Sequence, residues 1–122
     1  MNFPIKNNNG TMNLLTAAMA RNIPAIGGQS EVEDPIVHFK FFGGSSWTWL
    51  LTELDPETGE AYGKVYSSLC PEGEWGYFLL FNDEYPEESL AGIKFPPFGA
   101  AVERDSWFKK APMSECRNPC AA

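Results

Sequence analysis

The sequence predicts an α+β fold, with an N-terminal helix packed on a strongly curved antiparallel sheet of about five strands. Three observations lead there. One apolar stripe at helical spacing lies early, in "TMNLLTAAMARNI". Several short β-rich runs follow, separated by Gly, Pro and Asp turns. Nothing between those runs is long enough for a crossover helix, which excludes a parallel sheet. The 122 residues fit one domain, large enough to bury a core without disulfides or a metal.

Residues 1–10, "MNFPIKNNNG", are Asn-rich and read as a flexible N-terminal arm. Leu14, Leu15, Ala18 and Met19 then share one helical stripe, with Thr11 or Asn13 as N-cap and Pro24 and Gly27-Gly28 as the stop. "GGQSEVEDP" is a polar connector. From Ile36 to Phe42 the residues alternate, sending Val37, Phe39 and Phe41 to one face and His38, Lys40 and Phe42 to the other. "GGSS" is a turn, and Trp47 to Leu54 is the next strand. In "DPETG", Pro56 presets its own φ and Gly59 supplies the left-handed position that closes a hairpin onto Glu60 to Ser67. "SLCPEGE" is another turn. The nearly continuous apolar run Trp75 to Phe81 reads as a central strand covered on both faces. "NDEYPEESLAGI" is acidic, with a short helix over Pro86 to Leu90, and "KFPPFG" is extended or kinked. Ala100 to Phe108 is the last strand. The domain spans 11–110, and 111–122 is a polar, mobile C-terminal tail by composition.

Charge narrows the partners. The formal net charge is −7 and the pI about 4.6, which disfavours direct binding to phosphate backbones and suits a basic protein partner. Nine Phe, four Trp and four Tyr make 14% of the chain aromatic, a composition that favours sheets. No stretch is apolar enough to span a bilayer, so no membrane association is expected. The N-terminus lacks the apolar run of a secretory signal, and three cysteines are an odd number. A cytoplasmic protein with free thiols is the expectation.

Four carboxylates fall at strand ends: Glu53 and Asp55 beside the hairpin turn, Glu103 and Asp105 around Arg104. Together with Thr52 they form a candidate polar cluster. One reading makes them a ligand or acid–base pocket, with Arg104 clamping an anion. The other makes them turn caps and a strand-to-strand ion pair between Glu53 and Arg104, the arrangement favoured here because no nucleophile or glycine loop accompanies them. No Walker, Rossmann, HExxH or GxSxG pattern occurs, and an enzyme is the less favoured class. Cys70, Cys116 and Cys120, with His38, make at most half a zinc motif, so no metal or other cofactor is expected. Trp47, Tyr66 and Tyr77 join Trp49, Tyr62, Trp75 and Trp107 as rings able to form a platform. Most of these rings are expected in the core and a minority in an exposed patch for a protein partner; Trp49, Tyr62, Trp75 and Trp107 are the candidate aromatic contacts.

The order of "VHFKFF", "WTWLLTELDPETGEAYGKV", "EWGYFLLF" and "GAAVERDSWF" resembles the domain of unknown function 2958 (DUF2958) family, over roughly Pro35 to Phe108 and more weakly in the N-terminal helix. Lys40, Thr48, Trp49, Thr52, Glu53, Asp55, Gly63, Gly76, Glu103, Arg104 and Asp105 are this chain's versions of that pattern. The acidic insert "NDEYPEES" and the cysteine-bearing tail depart from it. The resemblance implies a single-domain protein of plasmids, integrative elements and phages, often near anti-restriction or transfer genes, with no reaction assigned. The expected function is a non-enzymatic accessory protein acting by protein binding, for instance as an anti-restriction or anti-CRISPR inhibitor of host defence. A small-ligand or enzymatic module with a carboxylate and Arg pocket at the sheet end is the alternative.

Overall fold

The computed structural model describes residues 3–120. Its centre is a five-stranded antiparallel sheet built from β4 (Phe39–Gly43), β5 (Trp47–Leu54), β6 (Glu60–Ser67), β7 (Cys70–Leu79) and β8 (Glu103–Arg104). The strand order is β7-β6-β5-β4-β8. Two small two-stranded sheets flank it. In one, β1 (Ile5–Lys6) pairs with β2 (Asn13–Leu15); in the other, β3 (Ile36–Val37) pairs with β9 (Ala111–Pro112).

The expected N-terminal helix is not there. Its stripe residues Leu14 and Leu15 lie in β2 and are fully buried. Among the described residues, α-helix is confined to α1 (Ala17–Ala20), too short to cover a sheet face, and the 3-10 turns Pro86–Glu88 and Met113–Glu115 are shorter still, so the fold is β-dominated rather than α+β. The reason is local. Thr16 is extended and its hydroxyl caps the Met19 N–H at 3.2 Å, so helix starts only at Ala17. Pro24 lies a few residues on, leaving no room for a long helix. A short apolar run satisfies either period, and Ile5–Lys6 offers Leu15 and Asn13 a strand partner. Thus part of 1–10, taken as an arm, contributes a paired strand, and part of 111–122, taken as a tail, contributes β9.

Register explains the two faces of the central sheet. Phe41, Trp49 and Val65 lie in one cross-strand row; Phe39 and Leu51 lie in the next, and Leu54, Ala61 and Phe78 in another. These rows pack against Leu14, Leu15, Ile23, Phe81, Leu90 and Val102 to make the main core. The opposite face carries Tyr62, Lys64 and Tyr66 on β6 and Trp75 and Tyr77 on β7, with Leu50 opposite Lys64. A second cluster forms there from Val37, Leu50 and Tyr66, covered by Phe108, Met113, Cys116 and Cys120.

Two strand assignments change. The expected strand Ile36 to Phe42 breaks at His38, whose N–H donates to the Leu51 carbonyl at 2.9 Å. The break reverses the alternation, so Val37 joins the second cluster while Phe39 and Phe41 face the main core. The run Trp75 to Phe81 is not central. β7 begins at Cys70 and forms the sheet edge, with Trp75 and Tyr77 40% and 64% exposed. Its apolar continuity arises because Leu80 and Phe81, just past the strand, drop into the core. The last strand shrinks to Glu103–Arg104 on the β4 edge.

The hairpin turn follows its sequence. Gly59 has φ 84° and donates to the Asp55 carbonyl at 2.9 Å, while Asp55 Oδ1 accepts from the Glu57 N–H at 2.9 Å. Gly63 is required for a different reason. It faces Gly76 across β6 and β7, yet a Cβ there would stand 1.9 Å from the Leu50 carbonyl oxygen, whereas one at Gly76 meets nothing within 4 Å. Gly63→Ala is therefore expected to cost about 3 kcal/mol through forced backbone displacement. Gly76→Ala is expected to be neutral or stabilising by up to about 1 kcal/mol. Urea unfolding of the two variants measures the contrast.

Burial and the nearby Lys110 charge push the His38 imidazole below its ordinary value of 6.5. The unfolded chain takes up that proton first. His38 therefore contributes stability that is complete above the unfolded value and lost as pH falls through the depressed one. Stability is expected to decline as pH falls below about 7.5, and His38→Gln to flatten that decline, read from urea midpoints at successively lower pH.

Candidate functional site

β5 contains a bulge. Leu51 pairs with Gly63 and Glu53 with Tyr62, leaving Thr52 as the extra residue. Beyond Leu51, β4 no longer runs alongside, so this stretch of β5 lacks a strand on that side. Residues 24–36 supply the missing partners. Leu54 N–H donates to the Pro24 carbonyl at 2.9 Å. Gln29 Nε2 donates to the Thr52 and Ile36 carbonyls, both at 2.9 Å, and its Oε1 accepts from the Ile36 N–H at 2.7 Å. The Thr52 hydroxyl turns the other way and donates to the Tyr62 carbonyl at 3.0 Å.

Glu53 completes this arrangement. Its side chain is 4% exposed, and its two carboxylate oxygens accept separately from backbone N–H groups: Oε1 from Gly27 at 2.7 Å and Oε2 from Gln29 at 3.0 Å. A carboxylate held by two N–H donors forms stronger hydrogen bonds than a neutral acceptor would. Glu53 thus anchors the connector that the sequence marks only as polar.

The expected ion pair between Glu53 and Arg104 is not formed. Register carries Arg104 to Phe41 and then to Trp49, two strands and four residues from Glu53. That is about 13 Å along the sheet and about 10 Å across it. Arg104 also shares the core-side row with Phe41, and its Nε donates to the Asn13 carbonyl of β2 at 3.3 Å. Asp105 pairs with Lys40 at 3.6 Å and accepts from the Trp107 N–H at 2.9 Å. Glu103 is exposed, and Asp55 caps the hairpin turn. The six polar candidates therefore do not form one cluster, and only Thr52 and Glu53 line the same cleft.

Those two line a cleft of about 600 Å³, between the segment Gly27 to Pro35 and the outer face of β6 and β7. Its walls are Tyr62, Trp75 and Tyr77 on one side and Val32, Glu33 and Pro35 on the other. Tyr62 stacks on Trp75 with ring centroids 5.8 Å apart and meets Tyr77 edge-on at 4.9 Å. Of the four candidate aromatic contacts, Tyr62 and Trp75 meet here. Trp49 is buried in the core and stacks on the exposed Trp47 at 5.8 Å. Trp107 is 91% exposed and does not line the cleft.

Cys70, Cys116 and Cys120 are free and partly buried. Cys116 and Cys120 pack in the second cluster, where burial pushes the Cys116 thiol above its ordinary value. Among the described residues, no three His, Cys, Asp or Glu side chains gather as metal ligands. The end of the chain is pinned by Asp34, which accepts from the Ser114 N–H at 2.9 Å and from its hydroxyl; these bonds lower the Asp34 pKa.

Gln29 and Glu33 are not marked as site residues by the sequence, and Tyr77 is named there only among the rings able to form a platform, not among the candidate contacts. Period-two spacing of Trp75, Tyr77 and the facing Tyr62 was the available signal for the rings. Nothing in "GGQSEVEDP" indicates that Gln29 reaches a bulge in a strand more than twenty residues later.

The fold and cleft define a small antiparallel-sheet domain with an acidic, aromatic-walled surface site. A family model described as "Protein of unknown function (DUF2958)" matches residues 11–118, and the chain belongs to that family, as its motif order suggested. No curated protein and no solved structure matches the chain. Among the described residues, no helix is long and apolar enough to cross a membrane.

Glu53→Ala leaves the Gly27 and Gln29 N–H groups without their acceptor. It is expected to lower stability by about 3 kcal/mol. Hydrogen exchange should show faster exchange at Gly27 and Gln29, while β6 amides keep their protection relative to global unfolding.

Proposed function

We propose that this protein acts by binding another protein through the cleft beside Glu53, as a non-enzymatic accessory factor of a mobile element or phage. The observation that carries the reading is the group of Tyr62, Trp75 and Tyr77 at an exposed sheet edge. Tyr and Trp are favoured anchors in protein interfaces, because each buries a large rigid surface at small entropic cost. A net charge of −7 supports a basic partner and argues against a nucleic acid. The mobile-element setting is what the family resemblance implies, and inhibition of a host defence system is its most concrete form.

The alternative, an enzymatic or small-ligand pocket at the sheet end, needs Glu53, Asp55, Glu103 and Arg104 to converge around a bound anion. Glu53 and Arg104 lie on different strands, far apart, and both carboxylate oxygens of Glu53 hold backbone N–H groups. The protein-binding reading is therefore preferred to a pocket built on those four residues.

Affinity capture from the native host, repeated at several salt concentrations, tests the proposal. The wild-type chain is expected to retain a partner in stoichiometric amount. A Trp75→Ala, Tyr77→Ala double variant should lose it, and Trp107→Ala should keep it. No stoichiometric partner, or capture indifferent to the double substitution, would sink the reading.

A further inference from the structure

We propose that the cleft receives the cationic head of a Lys or Arg side chain from its partner. The inference rests on the protein-binding reading above and specifies what that site recognises.

The first observation is electrostatic. Glu53 is buried, held by two N–H groups, and makes no ion pair among the described residues. Hydrogen bonds offset part of the cost of burying a carboxylate, but a nearby cation supplies the missing counter-charge. Glu53 lines the cleft, and Glu33 at the rim adds a second negative charge. The lining includes no Lys, Arg or His.

The second observation is the set of rings. The faces of Tyr62, Trp75 and Tyr77 carry the negative side of the aromatic quadrupole, which attracts an ammonium or guanidinium group. Two or three rings set around one space beside carboxylates form the kind of surface that captures such a group. The chain's own nearby cation does not fill it. Lys64 is the register partner of Trp75, yet its Nζ lies 5.4 Å from the centroid of the Tyr66 ring, on the side of Lys64 away from Tyr62 along β6. The same sheet face thus already holds one cation over a ring and leaves the neighbouring rings uncovered by that cation.

The third observation separates a cation from a neutral polar ligand such as a sugar. Two neutral polar side chains of the cleft, Gln29 and Thr52, are committed. Gln29 spends its amide on Ile36 and Thr52, and the Thr52 hydroxyl is donated to Tyr62. The two carboxylates of the lining, Glu53 and Glu33, offer acceptors only, which match a donor with positive charge, while Ser30 and the ring polar groups can serve either ligand.

Paired probes test this. N-acetyl-arginine methylamide is compared with its citrulline analogue, and N-acetyl-lysine methylamide with its Nε-acetylated form. Each pair keeps the shape of the stem and removes the charge. Binding to the full chain is followed by NMR shifts of the Trp75 indole and the Tyr62 and Tyr77 rings. The charged members are expected to bind about tenfold more tightly than the neutral ones. Trp75→Ala should remove most of that preference, Trp75→Phe should restore part of it, and Glu33→Gln should reduce its salt dependence.

Equal binding of charged and neutral members would overturn the inference, as would tighter binding of methyl glucoside or shifts confined to other surfaces. The capture experiment is read separately. If it depends on Trp75 and Tyr77 while the charge preference is absent, the cationic inference fails and the protein-binding reading stands. If capture also fails, both fall.

Discussion

The structure turns on how the open flank of β5 is closed. Past Leu51 this strand has β6 on one side and no strand on the other. An uncovered flank in mid-sheet would leave backbone groups without partners. The chain covers it with an irregular segment and secures that segment by two side chains. Gln29 substitutes for a strand by giving and receiving backbone-type hydrogen bonds, and Glu53 holds Gly27 and Gln29 by their N–H groups. Everything on the outer face follows. The segment 27–35 becomes the second wall of the cleft, and its continuation enters β3, which pairs with β9.

The bulge at Thr52 is what makes the closure possible. An extra residue turns the Thr52 carbonyl toward Gln29 and the Glu53 side chain toward the cleft instead of the core. In a regular strand, Leu51, Thr52, Glu53 and Leu54 would alternate between faces. Here Leu51 and Leu54 both reach the main core, three positions apart, while Thr52 and Glu53 lie together at the cleft. Structural support and binding surface therefore share a few adjacent residues.

Much of this was visible in the sequence where signals are local. The strands Trp47–Leu54 and Glu60–Ser67 and the turn at Gly59 follow from alternation and from turn chemistry confined to a few residues. The antiparallel connection of the central strands follows from short loops. The N-terminal helix failed as an expectation because Leu14-Leu15 suits a strand as well as a stripe, and the decisive partner, Ile5, sits outside the window. β7 was misplaced at the centre because an edge strand with a site on one face is as apolar as a buried one. The site itself was half legible. Glu53 stood out, but its partners are backbone N–H groups, which every sequence possesses everywhere and which only tertiary placement can distinguish. Arg104 was an attractive partner by charge alone, and register sends it elsewhere.

The second cluster carries a consequence for the timing of folding. Val37, Leu50 and Tyr66 belong to strands made early, while the residues that cover them run from Phe108 to Cys120. During synthesis, the hairpins of the central sheet can form while that apolar face is still open to water. The window lasts until some forty further residues have emerged, a few seconds at ordinary elongation rates of roughly 5–20 residues per second. In a cell, that interval is when the nascent chain offers its greatest exposed apolar surface on this face, and β9 is the segment whose arrival ends it.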